Sequence, residues 1–142
     1  MKRFFQFVAM MLVMSLVLSI PVFAAEPKSS AFFYRTGTYL EKVSGTTFDV
    51  WFDVTATGIM DELGVSTIKV QRSSDQTNWS TMYTFSKDSY SQMIDENTVR
   101  HADSVRYTGT TGYYYRAKVT FYAKNSSGTG TYVMYTDTIK VP

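Results

Sequence analysis

There is no cysteine anywhere in this chain. That excludes disulfides, thiolate nucleophiles, Cys-ligated metals and a lipid anchor through a lipobox cysteine. There is one histidine, His101, so a metal site built from several imidazoles is excluded too. No Asp-rich loop follows the calcium pattern, and no Gly-rich phosphate loop follows a strand and opens a helix. No metal and no cofactor are therefore expected. Net charge is also scarce. The 14 basic and 12 acidic side chains give a formal +2, but Lys2 and Arg3 lie in an N-terminal segment that reads as removable. Without them the remaining 12 basic residues balance the acids, which leaves no global pull toward nucleic acid or an anionic membrane.

The N-terminus has the three parts of a secretory signal peptide. Lys2 and Arg3 form the charged region, residues 4–20 are an apolar run, and Val22-Phe23-Ala24 offers a small-residue cleavage site. The run is short for a spanning helix of about 20 residues. The expected organisation is a signal peptide over residues 1–24, a polar leader over 25–35, and a single domain over 36–142. The expected location is secreted and extracellular, with no stable membrane anchor after cleavage. A domain of that size without disulfides must be held by its core.

From residue 36 onward, apolar residues alternate with polar ones rather than recurring at helical spacing. In residues 46–57, Phe48, Val50, Phe52 and Val54 share one face, while Asp49, Trp51, Asp53 and Thr55 share the other. Period-two patterning with β-branched and aromatic residues predicts strands. Further strands are expected at residues 38–43, 65–73, 79–85, 99–107, 113–124 and 131–141. Ser44-Gly45 suits a tight hairpin. Residues 58–64 read as a loop. Residues 88–97 read as a helix of at most two turns, with Ser89 and Gln92 spaced as a capping box. Seven short strands predict an all-β, antiparallel, immunoglobulin-like sandwich. Its expected core holds Phe48, Val50, Phe52, Ile68, Val70, Val119 and Phe121.

Two resemblances follow from particular residues. Ala123-Lys-Asn125-Ser-Ser-Gly128-Thr-Gly130 resembles the closing hairpin of fibronectin type III-like domains, and Ser73-Ser-Asp75 with Trp79 resembles their C–C′ hairpin. The corner tyrosine of that fold would fall at Ala117, two residues after Tyr115. The whole chain also resembles a family of small secreted proteins, a domain of unknown function, from clostridia-like Gram-positive bacteria. The residues concerned are Met60-Asp61-Glu62-Leu63-Gly64, Ile68 to Asp75 with Trp79, and Gly112-Tyr-Tyr-Tyr-Arg-Ala117. That resemblance implies secretion and a Gram-positive source, and no activity.

Candidate chemistry is sparse. His101 and Asp103 would share a strand face and could orient each other as in a serine triad. No serine, however, lies in a nucleophile-elbow motif. Asp49 and Asp53 share a face at roughly 13 Å between Cα atoms. That is wider than the roughly 5–9.5 Å of glycosidase carboxyl pairs. Asp61-Glu62 and Asp95-Glu96 read as solvated charges. No catalytic residue is assigned, and the chain is expected not to be an enzyme.

What remains is surface. The outward positions of residues 113–124 are Tyr114, Arg116, Lys118, Thr120 and Tyr122. Lys69 and Gln71 are outward on residues 65–73, expected to be the neighbouring strand. Lys69, Tyr114, Arg116, Lys118 and Tyr122 form the candidate binding surface: basic and tyrosine-bearing. Asp49, Trp51 and Asp53 form a second candidate, an acidic patch on the opposite sheet. There Trp51 is a sugar platform, or is covered by Phe32, Phe33 or Tyr34. The expected function is a non-catalytic binding or interaction module at the cell surface, for a glycan, a cell-wall polymer or a protein. A small secreted hydrolase or antimicrobial effector, and a self-assembling extracellular structural protein, are the alternatives.

Overall fold

The computed structural model describes residues 31–142, so the expected signal peptide and residues 25–30 of the expected leader lie outside the described residues. The rest is all-β. β1 spans Phe33–Ser44, β2 Thr47–Ser73, β3 Ser80–Ser86, β4 Ile94–Thr108, β5 Tyr114–Asn125, β6 Gly128–Tyr135 and β7 Ile139–Lys140. Every pairing is antiparallel. β1 takes in residues 33–35, and Phe32 and Phe33 pack against the core, so the domain begins before the expected boundary at residue 36.

The organising element is β2, 27 residues long. Its first half is flanked by β1 and β4, its second half by β5 and β3. Residues 62–64 pair with β4 on one side and β5 on the other. Among the described residues the seven strands therefore form one continuous, curled sheet, and the expected two-sheet immunoglobulin-like sandwich is not what the structure has, because β2 runs unbroken from one half to the other. The sheet curls over its own inner face: the Phe48 ring, early in β2, lies 5.4 Å from the Tyr115 ring of β5.

The loop expected over residues 58–64 is strand. Four residues of β2, 56–59, stand against Val99 alone between the pairs Thr55–Arg100 and Met60–Thr98. A bulge of this kind bends a strand without ending it, and it also destroys the alternation that would have marked the strand. Gly64 makes the crossing possible. Its φ is +156°, and a Cβ there would collide with the Met93 carbonyl, so only glycine lets β2 pass the turn before β4.

The helix expected over residues 88–97 is a single 3-10 turn, Ser91–Met93, with no side-chain cap. Two turns of isolated helix are marginal. Here residues 94–96 take the ladder offered by β2, and Met93 is fully buried beneath the turn. The strand expected over 131–141 is broken at Thr136. Its Oγ1 accepts from the Ala117 N–H at 2.9 Å and donates to the Asp137 carbonyl at 2.9 Å, taking a ladder position from the backbone. Seven strands were expected, and the described residues hold seven because one fusion offsets one split.

All seven expected core residues are buried. Tyr115, Ala117 and Ala123 join them from the inner face of β5. Tyr115 also settles the corner. Its hydroxyl accepts from the Thr110 N–H at 2.7 Å, and its ring lies against Gly109. A tyrosine corner makes a bond of this kind, but here the tyrosine is Tyr115, while the corner position expected from the resemblance, Ala117, is a buried alanine.

Candidate binding face

The five candidate residues lie on one surface. Tyr115, Ala117, Val119, Phe121 and Ala123 point inward along β5, so Tyr114, Arg116, Lys118, Thr120 and Tyr122 point outward. The register against β2 sets Lys69 directly opposite Lys118 and Gln71 directly opposite Arg116. On the far side of β5, Tyr135 of β6 also stands opposite Lys118, and Lys140 of β7 opposite Tyr114.

Arg116 is held on three sides. Its guanidinium lies 4.3 Å from the Trp79 ring centre and 4.7 Å from that of Tyr135, and its Nε donates to Gln71 Oε1 at 2.8 Å. Trp79 is delivered by the β2–β3 turn, which is built on Asp75. That carboxylate accepts from the backbone N–H groups of Thr77 and Asn78 and from the Ser73 hydroxyl. The Asn78 and Thr77 backbone bonds hold the Asp75 carboxyl far below its ordinary value. At one end of the face Lys140 lies over Tyr114 at 5.4 Å. At the other, Lys87 lies over Tyr122 at 4.9 Å, and Glu62 takes Lys124 at 3.9 Å and the Tyr122 hydroxyl at 3.4 Å. The centre differs. Among the described residues, no carboxylate lies within ion-pair distance of Lys69, Lys118 or Arg116.

The second candidate is arranged otherwise. Asp49, Trp51 and Asp53 share the outer face of β2, as expected. The acidic patch, however, is neutralised. Arg106, opposite Asp49 on β4, donates to both its oxygens at 2.8 and 3.0 Å. Arg100 donates to both oxygens of Asp53 at 3.2 and 2.8 Å. This hydrogen bonding holds the Asp53 carboxyl below its usual value against the opposing effect of burial, with the charges of Arg100 and Arg35 assisting. Without a bare acidic face, stacking of oppositely charged faces between molecules loses its basis. Trp51 is covered by Tyr39 of β1, stacked at 6.2 Å and 10°, and not by Phe32, Phe33 or Tyr34. Phe32 lies instead against Gly130 of β6, and Tyr34 is exposed.

No family model, no curated protein and no solved structure matches this chain.

His101 and Asp103 are not joined by a hydrogen bond. A carbonyl can only accept, so His101 Nε2 donates to Gln92 O, at 2.7 Å, and pins the 3-10 turn. Asp103 Oδ1 accepts from the neighbouring Ser104 N–H. Asp49 and Asp53 are each committed to a different arginine. The adjacent pairs come closer than their spacing implied: Glu62 stands opposite Glu96, and with Asp88 and Asp95 they line an open cavity of about 470 Å³ beside Lys87. Among the described residues, no group of three or more histidines or acids is placed to hold a metal ion.

Trp79, Tyr135 and Lys140 were missed as members of the basic face. Trp79 had a signal, since it closes a turn cluster into an edge strand. Tyr135 and Lys140 had none, because their place depends on the break at Thr136.

Proposed function

We propose that this chain is a secreted, non-catalytic all-β binding module, whose β2–β5 face holds an anionic polymer of the cell surface. One observation carries the reading. Among the described residues, Lys69 and Lys118 stand directly opposite each other without a carboxylate partner, while Asp49, Asp53 and Glu62 all have cations. Like charges directly opposite on neighbouring strands are destabilising. An anionic group bridging the two ammonium groups would relieve that repulsion. Tyr114, Tyr122, Trp79 and Tyr135 flank the pair, each with a cation over its ring, so Lys140, Lys87 and Arg116 are held around the two lysines and extend the positive face.

The test is co-sedimentation with Gram-positive cell walls and with a soluble polyanionic glycan. Binding should fall as salt rises, because exposed charges are screened within about 8 Å at physiological ionic strength. It should be lost in a Lys69→Glu, Lys118→Glu variant that keeps its fold. This pair is the sharper choice, since changing Arg116 would also disturb its packing on Trp79 and Tyr135. His101→Ala, with the fold intact, should bind as the parent does. Undiminished wall binding by the double variant would sink the reading.

A further inference from the structure

We propose that β6 is a self-pairing edge, along which a second copy of this chain adds antiparallel across a two-fold axis.

An open strand edge offers unpaired N–H and C=O groups to any other strand, and proteins ordinarily blunt it with charge, proline, bulges or shortness. The edges here are treated unequally. β1 carries Arg35, Glu41 and Lys42 and two register shifts against β2. β4 carries Asp95, Glu96, Arg100, Asp103 and Arg106 and stands against the bulge at residues 56–59. β3 has no charge but is broken by a register shift between Val70 and Gln71. β6 has none of these devices. Its sequence, Gly-Thr-Gly-Thr-Tyr-Val-Met-Tyr, holds no charge and no proline, and it pairs with β5 through eight consecutive residues without a shift.

Among the described residues, no strand pairs with its outer side. β1 passes beneath it, with Phe32 against Gly130 and the Thr36 hydroxyl donating to Met134 Sδ at 3.2 Å, but among the described residues no backbone hydrogen bond joins β1 to β6. Tyr132, Val133 and Tyr135 are 44%, 44% and 50% exposed.

A second copy fits better than a charged partner. An uncharged edge gives no electrostatic selection for a foreign chain, and it meets itself without like-charge contact. Antiparallel self-pairing satisfies both edges with one interface, as a two-fold requires. At about 4.8 Å between strands, the β5 strands of the two copies would lie about 14 Å apart. Repulsion between their Lys118 residues is then largely screened. The axis runs perpendicular to the sheet, so both lysine pairs face the same way. The pairing does not depend on what that face holds.

Sedimentation velocity on the purified chain, without polymer, tests this. The expected result is a monomer–dimer equilibrium that persists at high salt, which a charge-driven association would not survive. Thr131→Lys with Val133→Lys should weaken the dimer by at least about tenfold in dissociation constant, with an unchanged melting temperature. Met82→Lys on β3 should leave the dimer as it is. The unsubstituted chain gives an independent readout: amide exchange at residues 129–135 should slow as concentration rises. A monomer at every concentration, a dimer indifferent to the two lysines, or a dimer with unprotected β6 amides would overturn the proposal. So would a monomer that dimerises only when residues 1–30 are removed, since that assigns the edge to the chain's own leader.

Discussion

The two halves of β2 run through the same core with the same alternation, yet their outer faces follow opposite rules. In the first half, Asp49 and Asp53 each meet an arginine from β4 in a two-pronged pair. In the second half, Lys69 meets Lys118. Inward residues decide where the strand lies, and they leave the outward residues free to be matched or unmatched. A matched face adds a little to stability. An unmatched face gives some of that up, and is intelligible if something outside the chain supplies the missing charge.

The largest effect tests whether the halves share one core at all. Phe52 belongs to the first half and Phe121 packs against the second, and both are fully buried. Either change to alanine should lower stability by about 3–5 kcal/mol, a large fraction of what a domain this size possesses. Both variants should melt in a single transition by calorimetry. Two separate transitions would show that the bulge divides the molecule and that the halves are independent.

Next comes the matched face. Asp49 is 7% exposed, so removing its partner leaves a nearly buried carboxylate unsatisfied. Arg106→Ala should lower the urea midpoint, because an unpaired, nearly buried carboxylate is costly. The double variant Asp49→Ala, Arg106→Ala should lose clearly less than the two single losses added, because neither partner is then stranded. Strict additivity in denaturant titrations would mean the pair is only a surface contact.

Acid should weaken both halves, through different groups. The folded-state value of Asp53 is lowered by its bond to Arg100, and that of Asp75 by the backbone N–H groups of the β2–β3 turn. A lowered carboxyl contributes stability that is complete above its unfolded value, 3.8, and is lost as pH falls through the folded value. Urea midpoints should therefore hold above about pH 4 and decline below it. Asp75→Ala should start lower at neutral pH and decline less on acidification, its share being already gone. A parent-like acid response in that variant would place the sensitivity elsewhere.

The alternation of Phe48 to Val54 and of Tyr115 to Ala123 was legible because burial on one face leaves a period of two in the sequence. The basic face was legible for the same reason, since Lys69 and Arg116 are outward wherever their strands are inward at Val70 and Ala117. The continuity of β2 was not, because a bulge erases the period at the place where it bends the strand. Nor were the partners of Asp49 and Asp53. Those depend on register with β4, nearly fifty residues away or more, and no local pattern encodes it. The expectation of a corner at Ala117 rested on counting along a resemblance, whereas the bond that Tyr115 makes to the Thr110 N–H depends on where Gly109 turns the chain.

The smallest effect bears most directly on the difference between the halves. Lys69→Gln removes one of two like charges that face each other. It should raise stability by about 0.2–1 kcal/mol, the scale of a cross-strand pair, while lowering affinity for an anionic polymer. Arg100→Gln on the matched face should do the reverse, lowering stability and leaving polymer binding unchanged. The long aliphatic stem of lysine complicates the first expectation, since it also covers apolar surface. Glutamine has a shorter stem, so Lys69→Met separates the contributions: it keeps stem length and removes charge. If both Lys69→Gln and Lys69→Met raise the melting temperature, repulsion is being relieved. If only Lys69→Met does, packing and charge are both at work. If neither does, the lysine pair is not under strain, and the unmatched face would then be an ordinary solvated surface.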